Sequence, residues 1–334
     1  MTRHSLPRRA VLAGILGTAV ALATPNVGDA QPAFPSRTIR VIVPFPAGGT
    51  TDLLARIFAE RLTGALGQNV IVENMGGAGG SVGADAVAKA DPDGHTLLFH
   101  NLTFSTTTAS LQYAGRAKHE LGDFAPISLA ANVPMVVVAN PSVPAKDLKE
   151  FAAFAKAREA GQGLFYGSTG PGSVMNLAGE VYRRDAEIRI DHVPFRGAAP
   201  LVQELVAGRI QLGGDQLSTA LPHIRSGALK PLATLADRRM DALPEVPTVR
   251  ELGFANMELR GWNGFFAPAR TPEPVLARLQ NEIAAVAKNP DVQRRLTEIG
   301  AEPVGSSPAE FRQIVSEQID KVRPLVSELK LIVQ

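Results

Sequence analysis

Apolar and polar positions along this chain fall into two kinds of block. Short β-branched runs such as residues 38–43 are followed by longer stretches whose apolar residues recur every three or four positions. In residues 51–66, Leu54, Ile57, Phe58 and Leu62 share one face. The same reading predicts strands at 69–72 and 96–99 around a small-residue helix over 81–90, with Asp91-Pro92-Asp93-Gly94 as a turn. Strands alternating with helices at this spacing argue for parallel βαβ units. Between residues 124 and 138 two apolar runs follow each other without a helix, as strands do where a chain crosses between lobes.

The alternation then restarts. Helices are predicted over 146–160, 174–184, 199–207 and 218–225, with strands at 164–166, 191–193, 210–212 and 229–235. Residues 258–267 read as a second crossing strand, and 272–288 as an amphipathic helix. Ser307-Pro308-Ala309-Glu310 is a capping box with proline at the first helical position, and Pro324 is expected to end or kink the helix it opens. The pattern predicts two α/β lobes, residues 31–131 with 258–334 and residues 132–257, hinged by two crossing strands like a clamshell.

The N-terminus lies apart from this pattern. Arg8-Arg9 precedes the apolar run 10–23 and the small-residue site Gly28-Asp29-Ala30, the layout of a cleaved export signal too short to span a bilayer. The adjacent arginines are compatible with either the twin-arginine or the general secretory route. The whole chain carries a net charge of +2; removing residues 1–30 leaves 31 basic and 31 acidic residues, a neutral mature protein. An exported, periplasmic globular protein is expected, monomeric and without a nucleic-acid partner.

At 334 residues, with 45% hydrophobic and 20% charged positions, the chain is an ordinary globular one of about two domains. With no cysteine, it has no thiol nucleophile, disulfide or cysteine-ligated metal. Outside the cytoplasm there is no ATP or NAD pool, and no G-x-G-x-x-G or P-loop occurs. The histidines beyond the leader show no metal-ligand spacing; His95 and His100 read as strand-end or cleft-wall residues. No metal or cofactor is expected.

Candidate chemistry lies in three turns of one design: Pro46-Ala47-Gly48-Gly49-Thr50-Thr51-Asp52, Gly76-Gly77-Ala78-Gly79-Gly80-Ser81 and Ser168-Thr169-Gly170-Pro171-Gly172-Ser173. Each sets glycines and a hydroxyl at a helix N-terminus, where unpaired N–H groups and the helix dipole hold an anion without lysine. Thr50, Ser81 and Ser173 could instead merely cap their helices; three such turns on two facing lobes favour a small-anion cleft. Arg196 could grip a carboxylate bidentately or pair with a surface acid. Asp215, at the end of a predicted strand, could cap the next helix or accept a hydrogen bond from a ligand amine or hydroxyl.

The run from Val43 through Pro46-Ala47-Gly48-Gly49-Thr50-Thr51-Asp52 to Arg56 resembles the first signature of the extracytoplasmic receptors of tripartite tricarboxylate transporters, the Bug receptor family. Val72-Glu73-Asn74 with Gly77-Ala78-Gly79-Gly80, Asp91-Pro92-Asp93-Gly94-His95, Gly167-Ser168-Thr169-Gly170, Val193-Pro194-Phe195-Arg196-Gly197 and Leu243-Pro244-Glu245-Val246-Pro247-Thr248 extend the similarity over residues 35–320. The resemblance implies a two-lobed, type II periplasmic-binding-protein fold that closes on a small carboxylate: a di- or tricarboxylate, an acidic amino acid or an aromatic acid. Multi-span permease subunits would be its membrane partners. Carried over position by position, the implied contacts are Phe45, Gly49, Thr50 and Asp52; Gly79 and Ser81; and Ser168, Thr169, Gly197, Ala198 and Asp215.

The chain departs from the family pattern at Met75-Gly76, where Arg-Pro is usual, and at Asn176, where histidine is frequent. Gly213-Gly214 stand where an apolar or aromatic residue usually precedes the aspartate, which would enlarge the pocket. With the polar run 100–106, this suggests a ligand larger or more hydroxylated than a C4 dicarboxylate. A sensory or scavenging receptor without a transporter is the alternative class. An exported hydrolase is a remote one, since no nucleophile–base pair emerges from the motifs.

Overall fold

A computed structural model describes residues 34–158 and 163–333. The leader over residues 1–30, its cleavage site, and positions 159–160 of the helix predicted over 146–160 lie outside the described residues. In chain order the first half comprises β1 (Ile39–Val43), α1 (Thr50–Leu66), β2 (Val70–Asn74), α2 (Ser81–Ala88), β3 (Thr96–Asn101), α3 (Thr103–Tyr113), β4 (Phe124–Asn132), β5 (Met135–Ala139) and α4 (Leu148–Ala157). Next come β6 (Phe165–Ser168), α5 (Val174–Asp185), β7 (Asp191–Pro194), α6 (Ala198–Val206), β8 (Leu212–Gln216), α7 (Leu217–Arg225) and β9 (Lys230–Thr234). The chain finishes with β10 (Trp262–Pro268), α8 (Glu273–Ala287), α9 (Pro290–Glu298), β11 (Glu302–Pro303) and α10 (Pro308–Glu328).

Two mixed sheets result, ordered β11-β4-β10-β3-β1-β2 and β7-β6-β8-β5-β9, and the protein is a two-lobed α/β fold. β1 is parallel to both β2 and β3, while β10 and β4 are antiparallel to their neighbours. Helices cover both faces, so inner strands are apolar on both sides. Ile39, Val41 and Val43 face a cluster with Phe58, Leu97, Phe99 and Phe265, while Ile42 joins Leu98, Phe104, Phe266 and Phe311 on the other face.

The chain passes between the sheets at Val133-Pro134, linking β4 to β5, and again between β9 and β10. These passages touch: Val133 N–H donates to Gly261 O at 3.0 Å. A Cβ at 261 would stand 1.9 Å from Val133 O, so only glycine admits this approach.

Five elements differ from the sequence-based expectation. α3 is a helix where none was predicted: Thr103–Leu111 are all buried, leaving no polar face to give a helical period, and Thr and Ser are poor helix formers. β8 begins later than the strand placed at 210–212, and Gly213-Gly214-Asp215 lie inside it. The sequence reading ends the strand at these residues; a Cβ at 214 would stand 2.3 Å from Val136 O, so close strand approach requires the missing side chain. The capping box at Ser307 forms as expected, yet α10 runs through Pro324 to Glu328. α9 and the two-residue β11 carried no pattern long enough to read. Among the described residues, no helix is long and apolar enough to cross a membrane.

Candidate functional site

Helix N-termini from both sheets meet at one cavity of about 40 Å³, the room of a few water molecules. α1 presents Gly49, Thr50 and Thr51, and α6 presents Gly197 and Ala198. Neither helix has a side-chain cap, so their first N–H groups lack side-chain partners and point where an anion can take them. Gly197 has φ +105° and packs on Pro46, to which a Cβ would come within 3.3 Å. Phe45, Thr169 and Asp215 complete the set of predicted residues on the wall.

Seven of the eleven predicted positions therefore line one cavity: Phe45, Gly49, Thr50, Thr169, Gly197, Ala198 and Asp215. Asp52, Gly79, Ser81 and Ser168 do not. Asp52 braces its own loop, accepting from Gly48 N at 3.0 Å and Asn74 Nδ2 at 2.9 Å and pairing with Arg56. Burial opposes its charge, but the hydrogen bonds from Arg56, Gly48 and Asn74 hold its carboxyl below the usual range. Gly79 O accepts from Thr107 Oγ1 at 2.9 Å, and its Cα faces Pro171 O of the other lobe. Ser81 is buried at the start of α2. Of the three hydroxyls read as possible caps, Ser173 alone accepts from its helix backbone, at Asn176 N.

Ser168 is fully buried, with its Oγ 2.7 Å from His192 Nε2. This pair is not a nucleophile and base. Gly172 N–H donates to Asn176 Oδ1 at 3.0 Å, which turns Asn176 Nδ2 toward His192 Nδ1 at 3.4 Å and Tyr166 Oη at 3.2 Å. His192 Nδ1 is thus an acceptor, its proton sits on Nε2, and Nε2–H donates to Ser168. Burial lowers the His192 pKa and keeps the ring neutral. The network braces the 168–172 turn behind the cavity.

The wall also holds residues that sequence reasoning missed. Pro46 and Thr51 belong to the first signature, and Asn101, Leu102 and Thr103 to the polar run noted above. Met135, Val174, Met175 and Gln216 gave no signal, since their sequence environment is that of ordinary strand and helix ends. The expected enlargement by Gly213-Gly214 is absent: Met175 Cε stands 2.6 Å from where a Cβ of Gly214 would be, and Leu201 and Leu205 fill the space beside Gly213. His100 is buried beneath Phe45 and Phe104, and burial pushes its pKa down to about 3. Arg196 is exposed and off the cavity wall. Asp215 does not cap α7; its Oδ2 accepts from Thr219 Oγ1 at 3.0 Å, and burial pushes its carboxyl up to about 6.

Across this cavity the lobes are in contact. Thr50 Oγ1 of α1 hydrogen-bonds Ser218 Oγ of α7, Thr106 Oγ1 donates to Gly172 O at 2.7 Å, and Asn101 Nδ2 reaches Gln216 Oε1 at 3.4 Å. A larger groove of about 690 Å³ lies elsewhere, among Glu180, Arg183, Arg184, Arg189 and Glu328. Arg183 pairs with Glu180, and Arg184 pairs with Asp185 and Glu328.

Residues 54–331 match the family described as tripartite tricarboxylate transporter family receptor. BugT of Bordetella pertussis is 32% identical over 324 residues, 97% of this chain and 98% of that protein. The structure of MatC from Rhodopseudomonas palustris with bound malate superposes with a TM-score of 0.80 at 35% identity, covering 88% of this chain and 100% of the other. That of Rpa4515 from R. palustris with adipate gives a TM-score of 0.82 at 31% identity, covering 90% and 99%.

Proposed function

This chain belongs to the tripartite tricarboxylate transporter receptor family, and from that premise we propose that it captures a small organic carboxylate in its interlobe cavity outside the cytoplasm and delivers it to a multi-span permease. One observation carries the reading: the uncapped N-termini of α1 and α6 open into a single cavity whose wall, among the described residues, has no basic side chain. Such a site holds an anion by N–H groups and helix dipoles. The malate and adipate of the two related structures support a small carboxylate as the ligand class.

The lobes of the working protein are residues 31–131 with 258–334 and residues 132–257. The passages at Val133-Pro134 and before β10 serve as hinges, and the contacts of Thr50 with Ser218 and of Thr106 with Gly172 mark the closed position. The leader directs the chain to the periplasm, with Arg8-Arg9 suiting the twin-arginine route.

Thermal-shift screening of residues 31–334 tests this against malate, succinate, adipate, citrate, glutamate, nicotinate, terephthalate and sugar acids. A ligand at a hundred times its Kd adds about 2.7 kcal/mol and raises the midpoint by several degrees. Uptake of the hit by the source cells should fall when this chain is deleted. No shift from any carboxylate, with no carboxylate released on denaturation, overturns the receptor reading; binding without loss of uptake overturns delivery alone.

A further inference from the structure

The cavity wall carries two kinds of group. Helix N-termini supply N–H donors, while Asp215 is the single ionisable side chain on the wall among the described residues. Thr219, in the first turn of α7, donates to Asp215 Oδ2 at 3.0 Å, and among the described residues no side chain donates to Oδ1. The elements around it bring no compensating charge. β5 sets Val136 opposite, α5 brings Met175, and the far wall brings Thr51 and Asn101, none of which titrates.

A ligand enclosed here therefore meets a lone acceptor. Two carboxylates cannot both stay ionised in a closed, nearly dry space without a cation between them. We propose that Asp215 accepts one hydrogen bond from the enclosed ligand, so that a simple diacid binds as its monoanion, with one proton from solvent held between one of its carboxyls and Asp215. A ligand with its own donor, an ammonium or hydroxyl, needs no such proton. The inference rests on the receptor reading and specifies its ligand chemistry. It agrees with the carboxyl of Asp215, which burial pushes up to about 6 against the opposing hydrogen bonds of Thr219 and the Gln216 backbone.

Titration calorimetry of residues 31–334 at pH 7.5, repeated in two buffers of different ionisation enthalpy, counts the protons taken up. The probes are succinate and adipate against 4-aminobutanoate and 6-aminohexanoate. A diacid should bind with uptake close to one proton and lose about tenfold in affinity per pH unit between 7 and 8. The amino acids should bind without uptake. Asp215→Asn should abolish the uptake and weaken the amino acids at least tenfold, the scale of a charge-assisted hydrogen bond. Diacid binding without uptake, or uptake that survives Asp215→Asn, overturns this inference and leaves the receptor standing. The wild-type measurement decides even if the variant folds poorly. Binding by none of the four, nor by any carboxylate of the wider panel, overturns both.

Discussion

The hydroxyl of Thr50, first residue of α1, is hydrogen-bonded to the hydroxyl of Ser218, in the first turn of α7, 168 residues further along. Two helix N-termini from two different sheets are thus tied by one contact that exists only while the lobes touch. Thr50 lines the cavity and Ser218 does not, so the contact can be cut from the side that never meets ligand.

Ser218→Ala should loosen the closed position while leaving the wall intact. One hydrogen bond is worth about 1 kcal/mol, roughly fivefold in an equilibrium. Ligand affinity should fall by about that factor, and the unliganded radius of gyration from small-angle scattering should rise. Adding Thr50→Val to Ser218→Ala should not loosen closure further. An unchanged affinity in Ser218→Ala would remove this contact from closure.

Asp215 should weaken the unliganded fold above pH 6. Its carboxyl rises from 3.8 to about 6 on folding, chiefly through burial. Between those values the folded chain binds more protons than the unfolded one, so stability falls as pH rises through that window. Two units correspond to at most about 3 kcal/mol. Asp215→Asn should therefore gain stability at pH 7.5 and little at pH 4, as read by urea unfolding. A loss at pH 7.5 would contradict the burial argument.

Gly261→Ala tests the close approach of the two passages between sheets. The added carbon would stand 1.9 Å from Val133 O, which is backbone and cannot step aside. We expect a cost of about 3 kcal/mol or more, seen as a lower urea midpoint or as insoluble protein. A variant as stable as the parent would mean that these passages yield readily.

Asn263 is fully buried in β10 beside Asn101, with neither its Nδ2 nor its Oδ1 bonded to protein. Two unsatisfied amide atoms cost stability that an apolar side chain of similar size avoids. Asn263→Leu should raise stability by about 1–2 kcal/mol in urea unfolding, and a loss of 1 kcal/mol or more would refute this.

Strand alternation, the capping box and the glycine turns were legible in the sequence because each is local. A β-branched run, an i, i+3, i+4 stripe or a Ser-Pro-Ala-Glu box carries its own period or hydrogen-bond logic within about twenty residues. All three glycine turns read as anion sites; the structure brings Gly49, Thr50 and Thr169 of the first and third to one cavity and leaves Gly79 and Ser81 of the second off its wall. α3 was not legible, because a helix buried on every side shows no stripe. Nor was the role of Ser168, whose partner His192 lies 24 residues away on a neighbouring strand.

By itself, the sequence determined the class of fold, the two crossings and the glycine and hydroxyl turns that open helices, since patterning and turn chemistry act over short distances. Tertiary structure alone decided which loops share a cavity, that Met175 rather than empty space lies against Gly214, and that Asp52 braces its own loop while Asp215 lines the cavity. Those outcomes depend on how two sheets stack their strand ends against each other. Contacts between residues more than a hundred positions apart are set by packing, not by any period along the chain.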